Sequence, residues 1–164
     1  MIAGYVCEKG FKLNAKKINQ DNFLFLTNEQ ESIFGVFDGH GPLGHHVSAF
    51  IRKHIHRVIC ILKKTMKFND AALLKASYKV LQNLLENSEV DCFKSGSTCV
   101  TAIVSNNSVC VANLGDSRAI ISRKQCKIII FRNNWINLRP KTWWLIRIKE
   151  SWGCWRFHWL LLRK

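Results

Sequence analysis

Two stretches of helical periodicity stand between two sets of β-patterned runs, and this order limits the possible folds more than any other feature. Over residues 43–64, Val47, Phe50, Ile51, Ile55, Val58, Ile61 and Leu62 recur at i, i+3 and i+4 spacing, while Arg52, Lys53, Arg57 and Lys63 fall mostly elsewhere. Asp70 reads as the N-cap of a second helix carrying Leu73, Leu74, Val80, Leu81, Leu84 and Leu85 on one face. Upstream, Tyr5-Val6-Cys7, Phe23-Leu24-Phe25-Leu26 and residues 33–37 read as strands. Downstream of a polar loop over 87–95, strands are predicted over 97–105, 108–114, 118–122 and 127–131. Asn106-Asn107 tolerates positive φ and suits a tight hairpin between the first two of these. Short links between strands predict an antiparallel sheet carrying a helical pair, an α+β architecture.

The 164 residues, 48% of them hydrophobic, suit one domain with a real core and argue against disorder. The formal charge of +14 is unevenly placed. Residues 1–116 hold 13 Lys/Arg against 10 Asp/Glu, whereas residues 117–164 hold 12 Lys/Arg against one acid, Glu150. All 6 tryptophans lie between Trp135 and Trp159. The expected organisation is therefore a domain over 1–131 and a basic, Trp-rich tail over 132–164, foreign to that domain as a frameshift or truncation would leave it. A basic tail could contact RNA or an anionic membrane, but this one has neither helical periodicity nor a recognisable motif, so no nucleic-acid partner is expected. The seven cysteines are scattered, with no Cys-x-x-Cys pair, which disfavours zinc and fits a reducing cytoplasmic or nuclear compartment. No secretory signal or transmembrane segment is evident.

Chemistry concentrates in Val36-Phe37-Asp38-Gly39-His40-Gly41, an apolar strand ending in an acid, a glycine, a histidine and a second glycine. A carboxylate there, followed by backbone free to turn, is a natural holder for a hard metal ion, although a plain Asp-Gly turn gives the same pattern. Further on come Gly96-Ser97-Thr98 and Asn113-Leu114-Gly115-Asp116-Ser117-Arg118, and upstream stands Asn19-Gln20-Asp21-Asn22. In this order and spacing the four motifs resemble the N-terminal half of the metal-dependent protein serine/threonine phosphatases, the PPM or protein phosphatase 2C-like family. The resemblance runs from about Gly4 to Phe131 and implies an antiparallel β-sandwich flanked by helices, here incomplete.

It also implies a reaction. Phosphoserine or phosphothreonine would be hydrolysed by a metal-activated water, with two Mg²⁺ or Mn²⁺ ions about 3.5–4 Å apart in the complete site. The family pattern assigns Asp38 as bridging carboxylate and Gly39 as a ligand through its carbonyl, which the missing Cβ lets approach an ion. Gln20 stands where the family often has Glu and would hold an ion through water, without charge; Asp21 follows it, with a turn role as its alternative. His40 is the candidate general acid toward the departing oxygen. Lys16, four residues before Gln20, falls where the family has a phosphate-gripping base, commonly Arg; a solvated lysine is the alternative. Asp116 matches a weaker third metal site or simply fixes its turn. Ser97 and Thr98 read as structural, and His45, His46, His54 and His56 as surface or packing residues on the helix.

The family's remaining metal-binding aspartates, in Asp-Gly-x-Trp-Asp and Asp-Asn segments, are absent, and no aspartate follows Asp116. The leading expectation is a truncated, monomeric phosphatase domain acting on phosphoproteins, with weak metal binding and doubtful activity. The alternative is a catalytically inactive binding module.

Overall fold

In a computed structural model of the protein, residues 2–3, 7, 18–105, 108–123, 128–131, 135–138, 144–149 and 158–162 are described. The elements in chain order are β1 (Ile2–Ala3), β2 (Asp21–Thr27), β3 (Glu31–His40), α1 (Gly44–Thr65), α2 (Asp70–Glu86), β4 (Gly96–Ser97) and β5 (Cys99–Ser105). They continue as β6 (Val109–Leu114), β7 (Arg118–Arg123), β8 (Ile128–Phe131), β9 (Trp135–Leu138), β10 (Trp144–Lys149) and β11 (His158–Leu162). One sheet runs β2-β3-β5-β6-β9, with β4 beside the end of β3, and the other runs β1-β11-β10-β7-β8. The described pairings are antiparallel, as the short strand links predicted.

Both helices pack on the first sheet, α1 over β2 and β3 and α2 over β6. Strand alternation sends Ile33, Phe37, Cys99, Ile103, Cys110 and Ala112 toward them, into one core with Val47, Ile51, Ile55, Ile59, Leu73, Leu74, Leu81 and Leu85. Phe34, Val36, Val100, Ala102, Val104, Val109 and Val111 point the other way and are buried as well. Burial on both faces is why the central strands read as nearly unbroken apolar runs. The Tyr78 hydroxyl ties α2 to the sheet, donating to the carbonyls of Cys99 at 3.1 Å and Ala112 at 3.2 Å.

Several details differ from the sequence reading. The N-cap of α2 is Asn69, whose side chain accepts from the Ala72 amide at 2.8 Å; Asp70 is the first helical residue, where its charge complements the helix dipole. Ile61, Val80 and Leu84 are exposed. Ile59, four residues after Ile55, takes the inward position, and Ile61 lies about 200° further round the helix. Val80 and Leu84 each stand one step before Leu81 and Leu85, about 100° from the buried line.

Strand β3 does not stop at Phe37 but continues through Asp38 and Gly39 to His40; the turn falls at Gly41, with φ 82°. Within the 132–164 stretch, β9 pairs with β6, β10 with β7, and β11 with β10 and β1. Tyr5, Val6 and the Asn106-Asn107 turn lie outside the described residues, as does Lys16.

Candidate metal and phosphate site

The β2–β3 hairpin sets the geometry. Its turn is closed by Asn28, whose Oδ1 accepts from the amides of Gln30 (2.9 Å) and Glu31 (2.8 Å) while its own amide donates to the Glu31 carbonyl. From there the ladder pairs Thr27 with Ser32, Phe25 with Phe34, Phe23 with Val36 and finally Asp21 with Asp38. The Phe25 and Phe34 rings lie 5.2 Å apart, so apolar packing and turn chemistry fix the same register. Two carboxylates thus stand directly opposite one another at the strand end, on the face away from the helices. Directly opposed residues have Cβ atoms about 4.5–5.5 Å apart, and like charges so placed repel.

Asp38 is held from its other side. Its amide donates to Thr98 Oγ1 at 3.0 Å, and the Thr98 amide donates back to the Asp38 carbonyl at 2.9 Å. Thr98 breaks the ladder between β4 and β5 by offering its side chain in place of backbone. Thr98 Oγ1 also lies 2.7 Å from Ser117 Oγ, and Asn113 Nδ2 donates to the Ser117 carbonyl at 2.6 Å. Thr98, Asn113 and Ser117 are all buried. Gly115, at φ 98°, lies against Thr98, and a Cβ there would come within 2.8 Å of Thr98 Cγ2. This brace joins two motifs that sequence reasoning had kept apart. The available signal was their equal distance on either side of Asn106-Asn107, which makes Thr98 and Gly115 cross-strand partners.

The remaining candidates gather at the same end of the sheet. Gly39 has an additional reason to lack a side chain: a Cβ would overlap the Gly44 carbonyl at the start of α1 and sit 2.6 Å from the Gln20 carbonyl. The Gly39 amide donates to that Gln20 carbonyl at 3.2 Å. Gln20 Nε2 donates to the Gly41 carbonyl at 2.7 Å, and its own carbonyl accepts from Ser48 Oγ at 2.5 Å. Ser48 Oγ accepts in turn from Asn22 Nδ2 at 2.9 Å, stitching the first turn of α1 to β2 beside the acids. His40 pairs with Gly96 and is exposed, its ring lying over the Gly96 Cα. Asp116 is exposed in the turn after β6, next to Ser117. On α1, His46 is exposed; His45, His54 and His56 are half-buried, and His54 stacks on Phe50 at 4.4 Å. Partial burial, with Lys53, Arg57 and His56 nearby, lowers the His54 pKa.

The donor atoms near Asp38 are carboxylate and carbonyl oxygens, which suit Mg²⁺ or Mn²⁺ in kind. In number they are few. Among the described residues no group of three or more His, Cys, Asp or Glu converges as a metal site.

The protein phosphatase 2C family profile matches residues 8–130. This chain is similar to the Arabidopsis thaliana "Probable protein phosphatase 2C 35", 33% identical over 131 residues that cover 76% of this chain and 37% of the relative. It also superposes on a bacterial serine phosphatase with a TM-score of 0.65, at 21% identity, over 90% of this chain and 76% of that one. A structure of RsbX in complex with magnesium superposes with a TM-score of 0.56, at 14% identity, over 82% of this chain and 67% of that one. The chain belongs to the protein phosphatase 2C family, and its α+β fold is that of these phosphatases. It spans less than half the length of the curated plant relatives it matches.

Proposed function

We propose that the chain carries part of the catalytic site of a protein serine/threonine phosphatase, for which phosphoproteins are the substrates. The observation that carries this is the opposition of Asp21 and Asp38 at one strand end, in a chain of this family. This pairing puts two carboxylates and the Gly39 backbone at one strand end, oxygen donors of the kind a hard divalent ion takes. Membership of the family and the magnesium complex of RsbX support a divalent ion as that cation, Mg²⁺ or Mn²⁺.

In this reading Asp38, Asp21 and the Gly39 carbonyl would hold the ion. Gln20 orients the Gly41 turn through its amide and would help hold the ion through water. When bound, the ion supplies an acidified water and screens the phosphoryl oxygens. His40, at the exposed end of β3 beside the acids, holds the proton that passes to the departing serine or threonine oxygen. Lys16 is assigned to the phosphate as a point charge and Asp116 to a further, weaker ion. Two carboxylates and a carbonyl hold a divalent ion only weakly against water, so affinity is low until further acids complete the site.

Two more readings go with it. A domain boundary near residue 131 is supported by the end of the family match at residue 130, while β9, β10 and β11 beyond it pair into the same two sheets. Free thiols at Cys60, Cys92, Cys99 and Cys110 support a cytoplasmic or nuclear setting. No helix among the described residues is long and apolar enough to cross a membrane.

The test is Mn²⁺-dependent phosphate release from a phosphothreonine peptide, by this chain and by a version joined to the downstream half of a relative. Release by the joined version, abolished by Asp38→Ala, is the expected result. Release that survives Asp38→Ala contradicts the assignment.

A further inference from the structure

Resting on the phosphatase reading, the loop that precedes β4 carries a second feature. Phe93 is 91% exposed, far more than the next exposed large hydrophobic among the described residues, Ile18 at 61%. Isolated apolar residues on a surface are ordinary, but the backbone beneath this one is fixed. Val90 and Cys92 on its N-terminal side pack against the helical core. The Phe93 amide donates to Asp91 Oδ1 at 3.0 Å, and the Ser95 amide donates to the Cys92 carbonyl at 3.4 Å. The chain therefore tucks Val90 and Cys92 inward and presents the phenyl ring outward.

The position of this loop gives the ring a use. Lys94 abuts Gly41, where an added Cβ would overlap the Lys94 carbonyl. Ser95 Oγ accepts from the Leu43 amide at 2.8 Å, and Gly96 pairs with His40. The loop is thus clamped to the turn that follows the candidate general acid. Phe93 follows the anchored Cys92 and precedes the clamped Lys94, so its Cα is about 3.8 Å from that of Lys94. Lys94 is itself exposed and adds a positive charge at the same rim.

We propose that Phe93 and Lys94 form a docking lip for the peptide that carries the phosphate. The occupant is a substrate segment with a bulky apolar or aromatic residue within a few positions of the phosphorylated serine or threonine. The anionic phosphopeptide complements Lys94, and the apolar residue covers the phenyl ring. An aromatic ring on a loop clamped to the turn after His40 supplies contact area at small entropic cost.

The test uses the full chain with Mn²⁺ and measures fluorescence anisotropy of labelled phosphothreonine peptides with Phe or Gly at each flanking position. Binding of inorganic phosphate is followed separately by ³¹P relaxation. The expected result is a preference of roughly 5- to 10-fold for Phe over Gly at one or two positions. Phe93→Ala reduces that ratio to below about twofold, and Phe93→Leu retains part of it. Because Phe93 is almost fully exposed, neither variant disturbs the core. A chain that binds inorganic phosphate yet shows no such preference, or keeps it in Phe93→Ala, overturns the docking lip alone. A version joined to the downstream half of a relative that releases no phosphate from any of these peptides overturns instead the phosphatase reading on which the lip rests.

Discussion

Asp38 is tied through both its amide and its carbonyl to Thr98, sixty residues away in sequence. Thr98 Oγ1 accepts from the Asp38 amide and meets Ser117 in a space from which water is excluded. Thr98→Val keeps the shape and removes the oxygen, leaving a buried amide and a buried hydroxyl unsatisfied. It should destabilise the fold by about 1–3 kcal/mol in urea unfolding, with Thr98→Ser losing less. Equal stability of the valine and wild-type proteins would show that the brace is dispensable. The thiols give a second residue-level check. Burial pushes Cys99 up to about 11 and Cys110 up to about 12, with the Asp70 charge adding to the effect at Cys110. Both thus stay protonated and shielded at neutral pH, whereas Cys60 is exposed. Titration with a thiol-reactive dye should label Cys60 within minutes and reach Cys99 and Cys110 only after denaturant is added. The motifs brought Asp38, Asp21 and His40 forward as candidates, and the structure gathers them at one end of the first sheet. The Thr98–Ser117 brace was not, because its meaning depends on a hairpin register that no tripeptide states.

Among the elements, the β3–α1 junction is the most exacting. The strand runs through Asp38 and Gly39, turns at Gly41 and enters a helix whose first residue, Gly44, touches Gly39. Two glycines in contact let the helix start at the level of the acids. Gly39→Ala places a methyl group against backbone on both sides, which cannot move aside as a flexible side chain can. It should cost about 1–3 kcal/mol and displace the Asp38 carboxylate. Thermal unfolding checks the first effect, and weakened Mn²⁺ binding checks the second. An unchanged melting temperature would mean that the junction relaxes freely. Helix spans and most of the inner stripe of α1 were readable from periodicity, with Ile61 read in place of Ile59. The cap of α2 was not, since Asn69 and Asp70 are both competent caps and only the backbone, extended at Asn69, decides between them. Nor was the end of β3, because Asp-Gly has the composition of a turn whether or not it makes one.

For the molecule as a whole, the α+β order of elements was visible in the sequence, and so was the family. The placement of strands from the 132–164 stretch beside β6 and β7 was not, since basic, Trp-rich composition specifies no partner strand. The central claim is that this architecture brings Asp21 and Asp38 together to hold a hard divalent ion, and the ion is held weakly. Paramagnetic broadening of backbone amide signals during Mn²⁺ titration of the full chain detects even weak sites. The account predicts that the Asp21, Asp38 and Gly39 amides broaden first, and that Asp38→Ala raises the Mn²⁺ concentration required at least tenfold. Broadening that begins elsewhere, or that is unchanged in Asp38→Ala, would contradict it.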